Sequence, residues 1–184
     1  MGKVYEAIDQ ALADFIGAQR MFFVATAPLE GDGHVNLSPK GLDTFRVLDR
    51  HTVAYLDLTG SGVETIAHLK QNGRATLMFC AFQGPPKILR LYGLGEVLEA
   101  EHADFAEIRP LFGEHVGVRS IIRIHVQRIA DACGFSVPRY EFVGNRDQLT
   151  KSAEKKGPDG LQKYRNEKNQ RSIDGLDGLS PREL

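Results

Sequence analysis

The chain has 184 residues, a formal net charge of −1, 42% hydrophobic and 26% charged side chains, and two cysteines. That balance excludes a basic nucleic-acid footprint and a disulfide-stapled scaffold, and no apolar run is long enough to cross a bilayer as a helix. The start, Met1 to Glu6, has no signal-peptide apolar core and has Glu where a myristoylation signal needs Ser or Thr, so a cytoplasmic protein of one domain with an appendage is expected.

Residues 4–16 predict an amphipathic helix, with Val4, Ile8, Leu12 and Phe15 on one stripe. Residues 21–27 form a dense apolar run around Phe22, Phe23 and Val24 and predict a buried strand. A tight turn at Glu30-Gly31-Asp32-Gly33 leads into a strand over 34–40, where Val35 and Leu37 alternate with Asn36 and Ser38. Residues 45–48 and 53–57 continue the sheet. Thr59-Gly60-Ser61-Gly62 then joins that last strand to a short helix over 64–70, which Gly73 should stop as a C-cap.

Strands follow at 74–82 and 87–98, the second interrupted by Gly93 and Gly95 in the way that marks a bulge or barrel bend. A helix over 102–112 and an alternating strand over 120–129 complete the sheet elements. With only short helices between six or seven strands, an antiparallel barrel fits better than a βαβ pattern. After Gly144 charges dominate, and the domain is expected to span 1–143 with a helical extension over 144–184. Within the extension, two helices are expected over 147–156 and 159–171, divided at Gly157-Pro158, before turns at 173–179.

The Thr59–Gly62 turn is the strongest chemical signal. The first N–H groups of a helix lack internal partners and its dipole is positive there, so a strand, a small hydroxylated turn and a helix start together suit a phosphate. Ser38 and Lys40 share one face of their strand, and Pro39 between them cannot donate to a ladder. Arg90 lies among apolar neighbours and needs an anion or carbonyl, or an ion pair with Glu64 or Asp57. Cys133 reads as a small hydrophobe, with Phe135 beside it able to wall a flat ligand. The six histidines form no metal-ligand spacing, and there is no nucleophile elbow or Walker loop.

Taken together, three pieces resemble the pyridoxamine 5′-phosphate oxidase-like, flavin-binding split barrels. They are the strand at Phe22 to Thr26, the segment Gly33 to Gly41, and the block Tyr55 through Phe79 with Gly60-Ser61 and Ile66 to Arg74 in order. The resemblance implies a homodimer of mainly β, six-stranded antiparallel split barrels, with FMN in two clefts between the subunits. The cofactor-binding residues it implies are Ser38, Lys40, Thr59, Ser61 and Gly62, with Arg90 and Tyr55 alongside and Cys133 as a further lining residue. Family oxidases open the helix after the turn with a basic pair, where this chain has Gly62 and Val63, and they end in a strand for the pyridoxal ring that the tail here replaces. An FMN-dependent oxidoreductase acting on a small molecule is the expected function, with the tail closing over the partner's site. A deazaflavin-dependent or haem-binding relative, and a non-catalytic flavin sensor, are the competing expectations.

Overall fold

A computed structural model describes residues 2–182. Its centre is one antiparallel sheet. The strands are β1 (Val4–Tyr5), β2 (Phe22–Thr26), β3 (Asn36–Lys40), β4 (Phe45–Val47), β5 (Thr52–Leu58), β6 (Arg74–Cys80), β7 (Ile88–Leu98) and β8 (Val118–Ala132). They run in the order β3-β2-β6-β7-β8-β5-β4, with β1 added on β8. The expected split barrel is present, with eight strands rather than six. The two additions are the short pairs Val4–Tyr5 on β8 and Phe45–Val47 on β5.

Alternation fills the barrel. Val24, Val53, Tyr55, Leu77, Phe79, Leu91, Ile122 and Ile124 point inward and are fully or almost fully buried. Phe22 from β2 reaches across the opening to Phe45 and Tyr55, with ring centres 4.9 and 5.5 Å away. The long strands β7 and β8 bend around the barrel through a register shift at Tyr92/Gly93. A Cβ at Gly93 would collide with the His125 carbonyl oxygen, and one at Gly95 would press on Leu69, so both glycines allow close approach. On the other face of β5 and β8, Ala54, Leu56 and Ile121 form a smaller core with Leu98, Ile108 and Phe112.

Three helices flank the sheet: α1 (Gln10–Ala18), α2 (Glu64–Asn72) and α3 (Phe105–Ile108). The helix expected from residue 4 begins instead at Gln10. Asp9, in extended conformation, caps it by accepting from the Leu12 N–H at 2.9 Å, while Val4 and Tyr5 pair with β8. Gly73 ends α2 with φ of 71°, as expected. The helix expected over 102–112 shrinks to α3 and a single 3-10 turn, Arg109–Leu111, because Pro110 has no N–H to continue the ladder.

The tail helix α4 (Gln148–Lys168) is two helices joined at a kink, where Gly157 has φ of 64° and ψ of 179°. The division falls at the expected Gly157-Pro158. The tail packs on its own barrel: Leu179 is buried in the main core with Val63, and a Cβ at Gly117 would touch Ala153 and Leu161.

Candidate functional site

The sheet does not close between its edge strands β3 and β4, and this seam is where the charged residues meet. The loop linking the two edges turns through Leu42 and Asp43, with φ of 63° and 55°. Left-handed backbone at two successive non-glycine residues is costly, and it sits beside Lys40. Ser38 and Lys40 lie opposite Val24 and Phe22 in the register and so take the inner face of β3. Asn36, on the same face, donates to Thr65 of α2 at 2.9 Å, and Ser38 Oγ donates to Asn36 Oδ1 at 3.2 Å. These bonds tie β3 to the start of α2.

Lys40 Nζ spans the seam to Asp57 Oδ1 at 3.3 Å, and Arg119 Nε binds Asp57 Oδ2 at 2.6 Å. Asp57 has no exposed surface. Burial works to raise its pKa, but Arg119 and then Lys40 outweigh that and hold it below the ordinary carboxylate value. Tyr55 Oη and Ser120 Oγ, both fully buried on the same side of the sheet as Asp57, have no hydrogen-bond partner among the described residues. Burial, and then the Asp57 charge, push the Tyr55 phenol well above its usual range.

The Thr59–Gly62 turn lies at the end of β5, tied down from within. Thr59 donates both its N–H and its hydroxyl to the Gly117 carbonyl, at 2.8 and 2.7 Å. Arg119 Nη1 donates to the Gly60 carbonyl at 3.3 Å. Two tail residues one helical turn apart complete the hold. Arg165 Nε donates to Thr59 Oγ1 at 2.9 Å, and Asn169 Nδ2 donates to the carbonyls of Gly60 at 2.9 Å and Ser61 at 3.2 Å. Ser61 and Gly62 themselves are exposed. The Glu64 carboxylate folds back over Gly62 and accepts from the Ile173 N–H at 3.4 Å.

The structure therefore gathers Ser38, Lys40, Thr59, Ser61 and Gly62 around the seam and the start of α2. It does not bring Arg90 or Cys133 to them, and it encloses Tyr55. Arg90 lies in register with Met78 and Ala130, between the core residues Leu89 and Leu91, and so takes the outer face of the sheet. Neither Asp57 nor Glu64 pairs with it; Asp57 is taken by Arg119 and Lys40. Tyr55, expected to line the cleft, is fully buried because its ring fills the barrel against Phe22. Cys133 is exposed at the end of β8.

Four residues central to the seam were not expected from sequence: Asp57 as an anchor, Arg119, Arg165 and Asn169. Arg119 carried one signal, a cation at the head of the apolar run of β8. Arg165 and Asn169 carried another, a polar pair at i,i+4 on a helix with little apolar surface.

The outer face shows a second feature. Leu37, Ala25, Thr76 and Tyr92 lie side by side across four strands, with Pro39, Phe23, Met78 and Arg90 in the adjacent row. Leu37 is 62% and Leu94 43% exposed. Ala25, Val35, Thr76, Tyr92 and Leu94 border an open hollow of about 390 Å³. Among the described residues no helix is long and apolar enough to cross a membrane.

Residues 8–133 match the family model described as pyridoxamine 5′-phosphate oxidase. A pyridoxamine 5′-phosphate oxidase family protein, ustO, of Aspergillus flavus is 41% identical over 192 residues, covering 95% of this chain and 77% of the relative. Two solved structures share the fold. Group A Streptococcus HupZ has a TM-score of 0.53 at 23% identity, covering 73% of this chain and 99% of that one. A Lactobacillus delbrueckii protein, titled as a putative pyridoxamine 5′-phosphate oxidase, has a TM-score of 0.53 at 17% identity, covering 69% and 98%.

Proposed function

The chain belongs to the pyridoxamine 5′-phosphate oxidase family, and on that premise we propose that it is an FMN-dependent oxidoreductase acting on a small molecule. The observation that carries this reading is the charge count at the seam. Lys40 and Arg119 converge there on one carboxylate, Asp57, and Arg165 reaches the adjoining Thr59 hydroxyl. Such an excess of cations beside a helix start fits a phosphate dianion. The Glu64 carboxylate folded over Gly62 marks the same place as one where negative charge settles.

In this reading Ser38, Lys40, Thr59, Ser61 and Gly62 hold the phosphate end of the cofactor. Lys40 and Arg119 supply positive charge while staying fixed by Asp57, so little ordering is needed on binding. Bound FMN supplies two-electron transfer between donor and substrate; the protein orients it and excludes water. The exposed apolar rows on the outer face support a second copy of the chain as their cover. Arg90 would then reach the cofactor from the partner subunit, which accounts for a cation standing among Phe23, Pro39 and Met78.

The test is the visible spectrum of purified protein. Flavin absorbance near-stoichiometric with chain, released as FMN on denaturation, is the expected result. Colourless protein that leaves the fluorescence of added FMN unchanged would overturn the assignment.

A further inference from the structure

A four-residue turn rarely needs so many polar hands. Thr59 to Ser61 is held by Arg119, Arg165 and Asn169, besides its own bonds to Gly117. Asn169 has no exposed surface, and its Oδ1 has no partner among the described residues. Burying an amide with an unmet acceptor is unfavourable, so it should be retained for what its other atom does. That atom, Nδ2, bonds the carbonyls of two successive peptides, Gly60 and Ser61.

The consequence follows from peptide geometry. In a planar trans peptide the C=O and the next N–H point in opposite directions. No cis peptide occurs among the described residues. With the Gly60 and Ser61 carbonyls drawn in toward Asn169, the N–H groups of Ser61 and Gly62 must face away from the tail. Both residues are exposed at the start of α2, with the Glu64 carboxylate lying over Gly62. Successive outward N–H groups at a helix start form a concave anion seat.

The docking of the tail fixes this part in place. Val63, next in sequence to the turn, is 1% exposed and shares the core with Leu179. The Leu179 N–H bonds the Asn169 carbonyl at 2.7 Å, and Lys70 Nζ bonds the Gly178 carbonyl at 2.6 Å. The chain beyond α4 is thus pinned on both sides of Asn169, which leaves its side chain little freedom. Arg165, one turn earlier, fixes Thr59 and also donates to the Val118 carbonyl at 3.1 Å.

We propose that the C-terminal extension completes the phosphate seat in cis, with Asn169 and Arg165 as positioning residues that keep the Ser61 and Gly62 N–H groups turned toward the phosphate monoester of the cofactor. The inference rests on the FMN reading above, and deepens it by assigning phosphate selectivity to the tail.

Riboflavin, which lacks the phosphate, separates the two. Binding of FMN and of riboflavin to the full chain is measured by fluorescence quenching, alongside the melting temperature without flavin. Wild-type protein is expected to prefer FMN strongly. Asn169→Asp keeps the shape but removes the donor, and should weaken FMN by about tenfold or more while leaving riboflavin unchanged. Arg165→Gln, in a half-buried position held independently by Leu161, should shift the ratio in the same direction by a smaller factor, and decides the matter should the Asn169 variant not fold. A merely structural role would lower the melting temperature and weaken both flavins in parallel; that result, or an unchanged preference, overturns the inference while leaving FMN binding intact. Wild-type protein that binds neither flavin overturns the functional reading itself.

Discussion

The tail meets the barrel in two places of similar chemistry and opposite setting. At one, Arg165 and Asn169 close over a turn anchored by Asp57 and Arg119, with Asp57, Ser120 and Asn169 all fully buried. At the other, Asp174 accepts from the His34 N–H at 2.8 Å and from its ring at 2.6 Å, with the His34 side chain 71% exposed. Both are polar contacts between distant parts of the chain. Water competes more strongly for the second than for the first, so the first should fix geometry and the second should mainly trim a loop.

Breaking the buried end should give the largest effect. Asp57→Ala leaves Arg119 buried without its counter-charge and should cost about 3–5 kcal/mol of unfolding free energy. Chemical denaturation measures it. The double replacement Asp57→Leu with Arg119→Met should recover much of that loss, because the one cation left without Asp57 is Lys40, whose side chain still reaches water. A double variant no more stable than Asp57→Ala would show that packing, not charge, holds this corner.

The apolar seat between the two ends comes next. Leu179 is 7% exposed and packs with Val63 in the main core. Leu179→Ala should cost about 2–3 kcal/mol, the lower part of the range for a buried leucine at the edge of a core. It should also raise amide hydrogen exchange at Asn169 and along α2 more than in β6, since the tail is the element released. Exchange that rises evenly across the sheet would mean the tail is no separate unit.

These effects bear on how far the sequence could be read. Alternation located β3 and much of β8, and dense apolar runs located β2 and β5, the latter buried on both faces. Gly73, Gly93 and Gly157 were legible since each answers a local demand of the backbone, a left-handed cap, a close approach or a kink. Val4–Tyr5 was not, because two paired residues have no period to detect, and the helical stripe beyond them masked the cap at Asp9. At the seam, Ser38, Lys40 and the turn were legible from local chemistry. Their partners were not: Arg119 lies 62 residues from Asp57, and Asn169 lies 109 from Gly60. The separation of Arg90 from that group within one subunit was hidden for a different reason. Its neighbours Leu89 and Leu91 point inward, so parity alone puts it outside, but sequence does not say on which side Lys40 falls.

The smallest effect is expected at the exposed end, and its sign sharpens the contrast. The hydrogen bond that the ring donates to Asp174, and then the Asp174 charge, raise the His34 pKa above the ordinary 6.5. The bond from the His34 ring likewise lowers Asp174 below the ordinary 3.8. A histidine with a raised folded pKa stabilises fully below its unfolded value, and that contribution fades as pH rises through the folded one. A carboxylate with a lowered folded pKa stabilises above its unfolded value, and the contribution is lost as pH falls through the folded one. Both describe one pair, so it should hold the tail best between the two ordinary values. His68 works the other way: burial lowers its pKa, so acid disfavours the fold through it. The stability difference between wild type and Asp174→Asn, measured across pH, removes that background. It should be greatest between 3.8 and 6.5 and shrink in alkaline solution as His34 loses its proton. A difference that stays constant into alkaline pH would mean Asp174 acts through the His34 N–H alone, and that the ring charge contributes nothing to holding the tail.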